Sequence, residues 1–317
     1  MRGWLFSGTS KPLELIEKEA PTAIPGQVVI EVKAAGLCHS DVAALQDPGW
    51  MPLFPNGPVI MGHEIAGVIT EVGEGVEGFQ VGDRVGVNPM DRDTKITAGY
   101  NYDGGYAEKV RVPAKQCVKI PEGVSFMEGA AATDAGITAY RALFSIGQAK
   151  AGTKVGIAGV GGLGQFALQM AIIKGCEVYA TDVSPAAREL AKELGATKVY
   201  DTLLDMKEAA CEVIVDFAGF GQTTSDALEV VQPQGTVVIV GMGKLESTIN
   251  TYLMITKEIK LLGSNGGSVE DLQGVYDCFA TGKMNPTLIA IPFEEIDQGL
   301  EKLKNHEVKG RLVAVFE

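Results

Sequence analysis

One glycine-rich segment constrains the fold of this chain more than any other feature. Gly159, Gly161 and Gly164 have the spacing G-x-G-x-x-G, after the apolar run 154–159 and before the helix-like segment 165–174. In this context the first glycine makes a tight turn, the second lets the backbone approach a pyrophosphate, and the third lets helix and strand pack closely. The following helix N-terminus would offer N–H groups to the phosphates. The pattern predicts a dinucleotide-binding unit with contacts from Gly159, Gly161, Gly162, Leu163 and Gly164, the alternative being a purely structural turn.

Asp182 indicates which coenzyme this unit would take. It ends the strand-like run 177–182 and follows Gly164 by 18 residues. A carboxylate at this point accepts hydrogen bonds from the adenosine ribose hydroxyls and repels a 2′-phosphate. No Arg or Lys follows directly, because the next residues are Val-Ser-Pro-Ala. The sequence therefore predicts NAD rather than NADP, although a helix-capping or solvated Asp182 is the alternative interpretation.

The pattern of apolar residues along the chain changes once and divides it into two domains. Short alternating apolar runs such as 28–33, 65–72 and 106–112, punctuated by glycines, predict a curled, barrel-like sheet in the first part. From near Asp134, apolar strands alternate with helices, which is typical of a doubly wound parallel sheet. The tail ends in a strand that we expect to return to the first domain. We predict an α/β protein with one domain formed by 1–134 and 266–317 and a second formed by 135–265.

Composition excludes several classes of partner. With 27 Lys plus Arg against 40 Asp plus Glu, the net charge of −13 repels phosphate backbones and anionic lipid. No run of about 18 apolar residues could span a bilayer, and the first residues lack the layout of a secretion signal. The five cysteines are scattered, which argues against a disulfide framework. We expect no nucleic-acid or membrane partner and a reducing, cytoplasmic location.

Cys38 and His63 are candidate metal ligands, 25 residues apart. They lie in the segments Cys-His-Ser-Asp (38–41) and Gly-His-Glu (62–64). A single cysteine is more often a small buried hydrophobic residue, and a single histidine is more often a hydrogen-bonded core or surface residue. Composition and spacing alone therefore leave the metal site open.

Several motifs occur together in a defined order, and the combination is more specific than any one of them. Besides the segments 38–41, 62–64 and 159–164, the chain contains Gly-Asp-Arg-Val (82–85), Asp-Gly-Gly-Tyr-Ala (103–107) and a final Gly-Arg (310–311). In this order they resemble the zinc-dependent medium-chain dehydrogenases, and the resemblance runs through nearly the whole chain. It implies a GroES-like β-barrel catalytic domain and a Rossmann cofactor domain.

The resemblance also implies a metal site. In that family a catalytic zinc is bound by a Cys, a His and a third ligand that is usually Cys, which implies Cys38 and His63 as the first two ligands. The position of the third holds Asp134; a carboxylate is an acceptable zinc ligand, although harder than a thiolate. The family's structural zinc needs four cysteines after residues 82–85. None occurs between Asp83 and Gly104, so we expect one catalytic zinc and no structural zinc.

Three further polar residues are catalytic candidates through the same resemblance. Glu64 adjoins the histidine ligand and would be a fourth ligand or lie behind the metal. Asp41 would accept the spare N–H of His63 and fix its tautomer; for both acids a surface salt bridge is the alternative. Ser40 stands where the family has a hydroxyl that takes the proton of the alcohol. In many relatives a His five residues after the Cys passes that proton onward, but here this position is Ala43. We therefore expect the proton to leave through water or ribose hydroxyls, and we expect activity to depend less on the titration of an imidazole.

The resemblance assigns the remaining contacts residue by residue. Trp50 lies in the loop leading to Gly62 and is a candidate wall of the substrate pocket, with a core role as the alternative. The other positions concern the coenzyme: His39 and Arg311 at the pyrophosphate, Leu163 and Thr138 beside the nicotinamide, and Val240, Gly241 and Met242 near its carboxamide.

Together these assignments predict a zinc-dependent, NAD-linked alcohol dehydrogenase. It would interconvert small alcohols, with secondary alcohols favoured by resemblance, and aldehydes or ketones by hydride transfer. A zinc-free quinone or enoyl reductase of the same fold is one alternative, and a non-catalytic nucleotide-binding protein is another. Family members associate through the edge of the nucleotide sheet, near residues 259–263 here, so we expect a homo-oligomer, with a dimer favoured and a tetramer possible.

Overall fold

A computed structural model describes residues 1–316 of the 317-residue chain. The described residues form two compact units. The first contains Met1–Asp134, Ser268–Ala280 and the residues from Thr287 onward, and the second contains Ala135–Gly267 and Thr281–Pro286. Residues 281–286 therefore lie in the second unit, whereas the sequence analysis assigns all of 266–317 to the first.

Strands and helices are numbered in chain order. The strands are β1 Arg2–Phe6, β2 Glu14–Glu17, β3 Gln27–Gly36, β4 Val59–Ile60, β5 Glu64–Val72, β6 Arg84–Val87, β7 Lys109–Pro113, β8 Cys117–Lys119, β9 Lys154–Ala158, β10 Glu177–Thr181, β11 Lys198–Tyr200, β12 Val213–Asp216, β13 Thr236–Ile239, β14 Lys260–Gly263, β15 Leu288–Pro292 and β16 Arg311–Val315. The α-helices are α1 His39–Gln46, α2 Phe126–Ala131, α3 Ile137–Tyr140, α4 Gly164–Ile173, α5 Pro185–Glu193, α6 Gln222–Val230, α7 Thr251–Lys257, α8 Val269–Ala280 and α9 Ile296–Lys304. Two π-helical turns, Ala132–Gly136 and Arg141–Ile146, flank α3.

The first unit is built on a curled sheet of mostly antiparallel strands. Its order is β15-β16-β3-β5-β6-β8, with β7 also paired to β3, and a second sheet has the order β2-β1-β4. Val28, Ile30 and Val32 of β3 are buried, as their alternation predicts, but Val29 between them is buried as well, so this part of the strand is covered on both faces. The pairing of β3 with β5 shifts register twice, and such bulges bend a strand. The final strand β16 pairs with β3, so the tail returns to this unit.

The second unit is a parallel sheet in the order β11-β10-β9-β12-β13-β14. The first strand in sequence, β9, lies in the middle, and the order runs outward from it in both directions, as in a doubly wound fold. Helices α4, α5 and α6 connect successive strands. The predicted α/β fold, with a β-rich domain and a parallel nucleotide-type sheet, is confirmed. Because all six strands run in the same direction, their carboxyl ends share one edge, which is where ligands bind in such sheets.

The helices of both units are short. The longest in the described chain, α8, has 12 residues. Among residues 1–316, no helix is long and apolar enough to cross a membrane.

Candidate functional site

Four potential metal ligands come from three places in the first unit. Cys38 follows β3 and is the N-cap residue of α1, with an extended backbone. His63 precedes β5 and Glu64 begins it. Because Gly36 of β3 pairs with Glu64 of β5, the sheet brings the residues after β3 beside those before β5. Asp134 lies in the π-helical turn that follows α2, a rare geometry that is frequent at functional sites.

The donor atoms of these side chains converge. One ligand atom from each of Cys38, His63, Glu64 and Asp134 lies within 4.8 Å of every other. Asp134 Oδ2 is 3.4 Å from Cys38 Sγ and 3.7 Å from His63 Nε2. Zinc–donor bonds of roughly 2.0–2.3 Å in tetrahedral geometry separate neighbouring donors by about 3.5 Å. The carboxylate of Asp134 is therefore separated from the thiol and from the imidazole by distances close to those between zinc ligands.

A buried carboxylate orients His63. Asp41 is fully buried, and its Oδ1 lies 3.2 Å from His63 Nδ1. Asp41 Oδ2 accepts hydrogen bonds from the Tyr106 hydroxyl at 2.7 Å and from the Cys38 backbone N–H at 3.2 Å. A proton on Nδ1 facing Asp41 would leave the lone pair of Nε2 for a metal, as is usual for metal-binding histidines. That Asp41 fixes the tautomer of His63 stays a prediction, and the contact of Tyr106 with Asp41 is an addition that sequence reasoning missed.

Glu64 is paired with a buried arginine. The Arg311 guanidinium contacts both carboxylate oxygens of Glu64, through Nη2 to Oε1 and through Nε to Oε2 at 3.1 Å. Arg311 Nη2 also lies 3.2 Å from Asp134 Oδ2. A Cβ on Gly36 would strike the Glu64 carboxylate, so glycine at this position makes room for the pair. The guanidinium of Arg311 is thereby directed at carboxylates of the cluster; its contact with pyrophosphate stays a prediction.

Ser40 and Tyr100 lie next to His63. Ser40 Oγ is 3.5 Å from His63 Nε2. The Tyr100 ring packs on the His63 ring with centroids 5.4 Å apart. Burial lowers the pKa of His63, but Tyr100 and the neighbouring carboxylates raise it well above its usual value. Tyr100 was also missed, because no local pattern distinguishes it from the other tyrosines of this segment.

His39 and Trp50 lie at the margin of this cluster. The His39 ring stacks on that of His306 with centroids 6.1 Å apart. Partial burial and the charge of Arg311 lower the pKa of His39. Trp50 is half-buried and packs against the hydrophobic core of the first unit. The pyrophosphate contact of His39 and the pocket role of Trp50 both stay predictions.

In the second unit, the glycine-rich loop joins β9 to α4. Gly159 has a φ of 93°, a conformation that favours glycine, and its N–H donates to the Thr181 carbonyl at 2.9 Å. A Cβ on Gly164 would strike the Gly159 carbonyl oxygen. A Cβ on Gly161 would have no protein atom within 4 Å, so packing does not require glycine there. A phosphate group against the backbone would require it, and the loop therefore fits a pyrophosphate.

The other coenzyme candidates of the second unit lie mostly at the carboxyl edge of its sheet. Asp182 follows β10, and its Oδ2 accepts a hydrogen bond from the Val160 N–H of the glycine-rich loop at 2.8 Å. Val240 and Met242 follow β13, and Met242 is exposed. Thr138 lies in α3 and is buried. Leu163 is the N-cap residue of α4.

The chain matches two family models that together cover more than half of its length. Residues 24–122 match the alcohol dehydrogenase GroES-like domain, and residues 162–281 match the zinc-binding dehydrogenase domain. The chain is also 33% identical to an alcohol dehydrogenase from Geobacillus stearothermophilus, over 99% of its own length and 98% of the relative's. This chain belongs to the zinc-type alcohol dehydrogenase family.

Further relatives of this dehydrogenase agree in fold and in name. An NAD-dependent alcohol dehydrogenase from Sulfurisphaera tokodaii is 32% identical over 99% of this chain and all of its own. The structure of an acetophenone reductase from Geotrichum candidum, in complex with NAD, has a TM-score of 0.88 and 29% identity, covering 99% of this chain and 97% of its own. An alcohol dehydrogenase from Aeropyrum pernix has a TM-score of 0.88 and 31% identity over the full length of both chains. The family and fold implied by the sequence motifs are thus confirmed.

Two places differ from the pattern that the sequence resemblance implies. Asp134 holds the position at which that resemblance implies a third ligand, and its Oδ2 lies 3.4 Å from Cys38 Sγ and 3.7 Å from His63 Nε2. The segment between β6 and Asp103 is short, contains no cysteine and forms only two isolated bridges, Met90 with Thr97 and Ala98 with Tyr102. The absence of a structural zinc stays a prediction, and the shortened segment carries Tyr100.

Proposed function

We propose that this protein is a zinc-dependent, NAD-linked alcohol dehydrogenase that interconverts small alcohols and aldehydes or ketones. The observation that carries the proposal is the cluster of Cys38, His63 and Asp134, whose donor atoms have the separations of zinc ligands. Secondary alcohols and their ketones are the favoured substrates, since one relative reduces acetophenone according to its name. The glycine-rich loop would bind the coenzyme, which accepts the hydride from the alcohol.

Each residue of the first unit has a defined task in this proposal. Cys38, His63 and Asp134 would hold one zinc ion, and Asp41 keeps the His63 ring in the correct tautomer. When bound, zinc supplies Lewis-acid polarisation of the substrate oxygen and NAD accepts the hydride. Ser40 Oγ would accept the proton that leaves the alcohol hydroxyl and release its own hydroxyl proton to water or to a ribose hydroxyl. No imidazole stands at Ala43 to take that proton further.

Glu64 and Arg311 adjust the charge of the cluster. One thiolate and two carboxylates carry more negative charge than a zinc ion would neutralise. Arg311 offsets the excess negative charge by pairing with Glu64 and Asp134. Removing one partner of such a buried pair would leave an uncompensated charge. We infer that Glu64 stays behind the metal, held by Arg311, rather than serving as a permanent fourth ligand.

Metal content and coenzyme-dependent turnover test the proposed function together. We expect about one zinc per chain and no second zinc, with oxidation of secondary alcohols by NAD faster than by NADP. Removal of zinc with a chelator should abolish turnover and readdition should restore it. Zinc-free protein that reduces quinones or enoyl substrates would favour the first alternative, and protein that binds NAD but turns over neither class of substrate would favour the second.

Asp182→Asn should raise the KM for NAD about tenfold and reduce the preference of the enzyme for NAD over NADP. The carboxylate accepts hydrogen bonds from ribose hydroxyls, and a hydrogen bond to a charged acceptor contributes about 1.5 kcal/mol or more. Steady-state kinetics with both coenzymes provide the measurement. The matched control is Asp226→Asn, which changes a partly exposed helix carboxylate bonded to Gln222 and should leave both KM values unchanged. Equal KM values for Asp182→Asn and the parent would show that Asp182 does not bind the coenzyme.

We also propose a cytoplasmic homodimer formed through the edge of the parallel sheet. Strand β14 ends the sheet next to β13, and beside it α7 exposes Tyr252 and Ile255 by 70% and 75%. Exposed apolar side chains next to an unpaired strand edge are typical of an association surface. Ile255→Glu should therefore yield monomers by light scattering, whereas Leu245→Glu, also exposed, should not. A dimer or tetramer that survives Ile255→Glu would contradict this assignment.

A further inference from the structure

Asp182 is held in one orientation by hydrogen bonds to both of its carboxylate oxygens. Oδ2 accepts the Val160 N–H of the glycine-rich loop, and Oδ1 accepts the Ser184 N–H, each at 2.8 Å. A carboxylate has about four lone-pair sites, so these two bonds leave room for a ribose hydroxyl on each oxygen. Because the Ser184 N–H belongs to the turn 182–184, the direction of the carboxylate depends on where the main chain of this turn lies.

The main chain of this turn is bound by the side chain of Arg188. Its Nη1 donates to the Asp182 carbonyl at 2.7 Å and to the Val183 carbonyl at 3.1 Å. Strand β10 ends at Thr181, so the carbonyls that follow need partners outside the sheet. Charge-assisted hydrogen bonds from a guanidinium are stronger than neutral ones, and only 21% of the Arg188 side chain is exposed. Arg188 therefore supports the two residues that follow β10.

Asp201 keeps the guanidinium of Arg188 in this place. It follows β11, whose Tyr200 is the register partner of Thr181 in β10, so residues 182 and 201 leave neighbouring strands at the same edge. Arg188 Nε lies 3.1 Å from Asp201 Oδ1. The Asp201 side chain is 83% exposed, and such an ion pair contributes little to stability. The two carbonyl bonds are thus the main support of the turn, and they engage a guanidinium that might otherwise accommodate a 2′-phosphate.

We propose that Arg188 is the positioning residue for Asp182, fixing the turn 182–184 so that the carboxylate meets the adenosine ribose hydroxyls of NAD. The inference rests on the proposed function, because it assigns the ribose to Asp182. It extends coenzyme recognition to a residue of α5 that lies outside the glycine-rich motif. Val183 is 93% exposed, so water has access to this turn when Arg188 is removed. Loss of Arg188 should therefore loosen the turn without unfolding the second unit.

Arg188→Met removes both carbonyl bonds and keeps a long, unbranched side chain in α5. We expect the Kd for NAD, measured by calorimetric titration, to rise about fivefold, the effect of losing one or two hydrogen bonds. In initial-rate kinetics, kcat/KM should fall about fivefold with NAD and by less than about twofold with NADP, because a 2′-phosphate does not use the Asp182 carboxylate. Lys192→Met is the matched control. It removes another cation of the same helix, one paired with the exposed Glu189, and should leave these values unchanged.

A double-mutant cycle with Asp182→Asn separates positioning from general damage to the structure. In the Asp182→Asn background, Arg188→Met should not raise the Kd for NAD further, because the group that it positions is already changed. A parental Kd in Arg188→Met, a further fivefold rise in the Asp182→Asn background, or an equal loss of kcat/KM with NADP would overturn the inference. If the parent binds NAD but oxidises no alcohol, the proposed function fails and the Kd values still test Arg188. If the parent binds no NAD, both are overturned.

Discussion

Asp134→Asn is expected to lose zinc and to lower kcat/KM for alcohol oxidation by about 10³-fold. Polarisation of the substrate oxygen by a metal contributes several kcal/mol to transition-state stabilisation, and about 4 kcal/mol corresponds to this factor. The amide has the size of the carboxylate but no charge, and Asp134 Oδ2 is the atom 3.4 Å from Cys38 Sγ and 3.7 Å from His63 Nε2. Because Arg311 keeps its pair with Glu64, the surrounding fold should remain intact.

Asp134→Cys is the matched variant for this experiment. It restores an anionic ligand of the type usual in the family, and a thiolate binds zinc at about 2.3 Å. We expect it to retain about one zinc per chain and activity within about tenfold of the parent. Metal content after gel filtration with a chelator, together with the melting temperature, separates loss of metal from loss of fold. Parental activity in a zinc-free Asp134→Asn protein would show that the cluster does not support turnover through a metal.

The proposed metal ligands illustrate what a single sequence can and cannot reveal. Cys38 and His63 are 25 residues apart, a separation that no local motif encodes. They meet because β3 pairs with β5 and aligns Gly36 with Glu64, a register that depends on long-range pairing. Resemblance to a family associated Cys38 with His63, which their spacing alone could not do, and it also indicated Asp134.

The side chains around the ligands were harder to predict. Tyr100 and Tyr106 stand in a segment with a third tyrosine, Tyr102, and nothing in their spacing indicates which ones contact the cluster. The difference arises from tertiary contacts, since the Tyr106 hydroxyl meets Asp41 whereas that of Tyr102 lies near Gln116. A hydrogen bond between a loop and a distant helix start leaves no periodic signal in sequence.

The parallel sheet was readily predicted for the opposite reason. Each strand of the second unit is a short apolar run, and each helix follows it directly, so the pattern is local. The glycine-rich loop adds positions whose residue type is dictated by backbone geometry, as at Gly159 with its φ of 93°. The assignment of residues 281–286 to this unit escaped prediction, because these residues form no strand or helix and join it through contacts such as Asn285 N–H to Gln169 Oε1 at 2.6 Å.

Gly161→Ala is expected to weaken NAD binding by about tenfold or more while the protein remains as stable as the parent. A Cβ at this position has no protein atom within 4 Å, so the methyl group creates no clash within the fold. A pyrophosphate that approaches the backbone would meet the methyl group, and the loss of about 1.4 kcal/mol of binding free energy corresponds to the tenfold change. Calorimetric titration with NAD and thermal unfolding of the same samples are the measurements.

Gly164→Ala is the contrasting variant, because its Cβ would strike the Gly159 carbonyl oxygen. That oxygen belongs to a tight turn fixed by the Gly159 N–H to Thr181 bond, so the backbone must shift, at a cost of about 1–3 kcal/mol in the free energy of unfolding. We expect a melting temperature lowered by several degrees, roughly 2–4 °C per kcal/mol, together with weaker NAD binding. The two variants thus separate a glycine required by the coenzyme from one required by packing. If Gly161→Ala bound NAD as tightly as the parent, the pyrophosphate would not lie against this loop and the coenzyme site would have to be sought elsewhere.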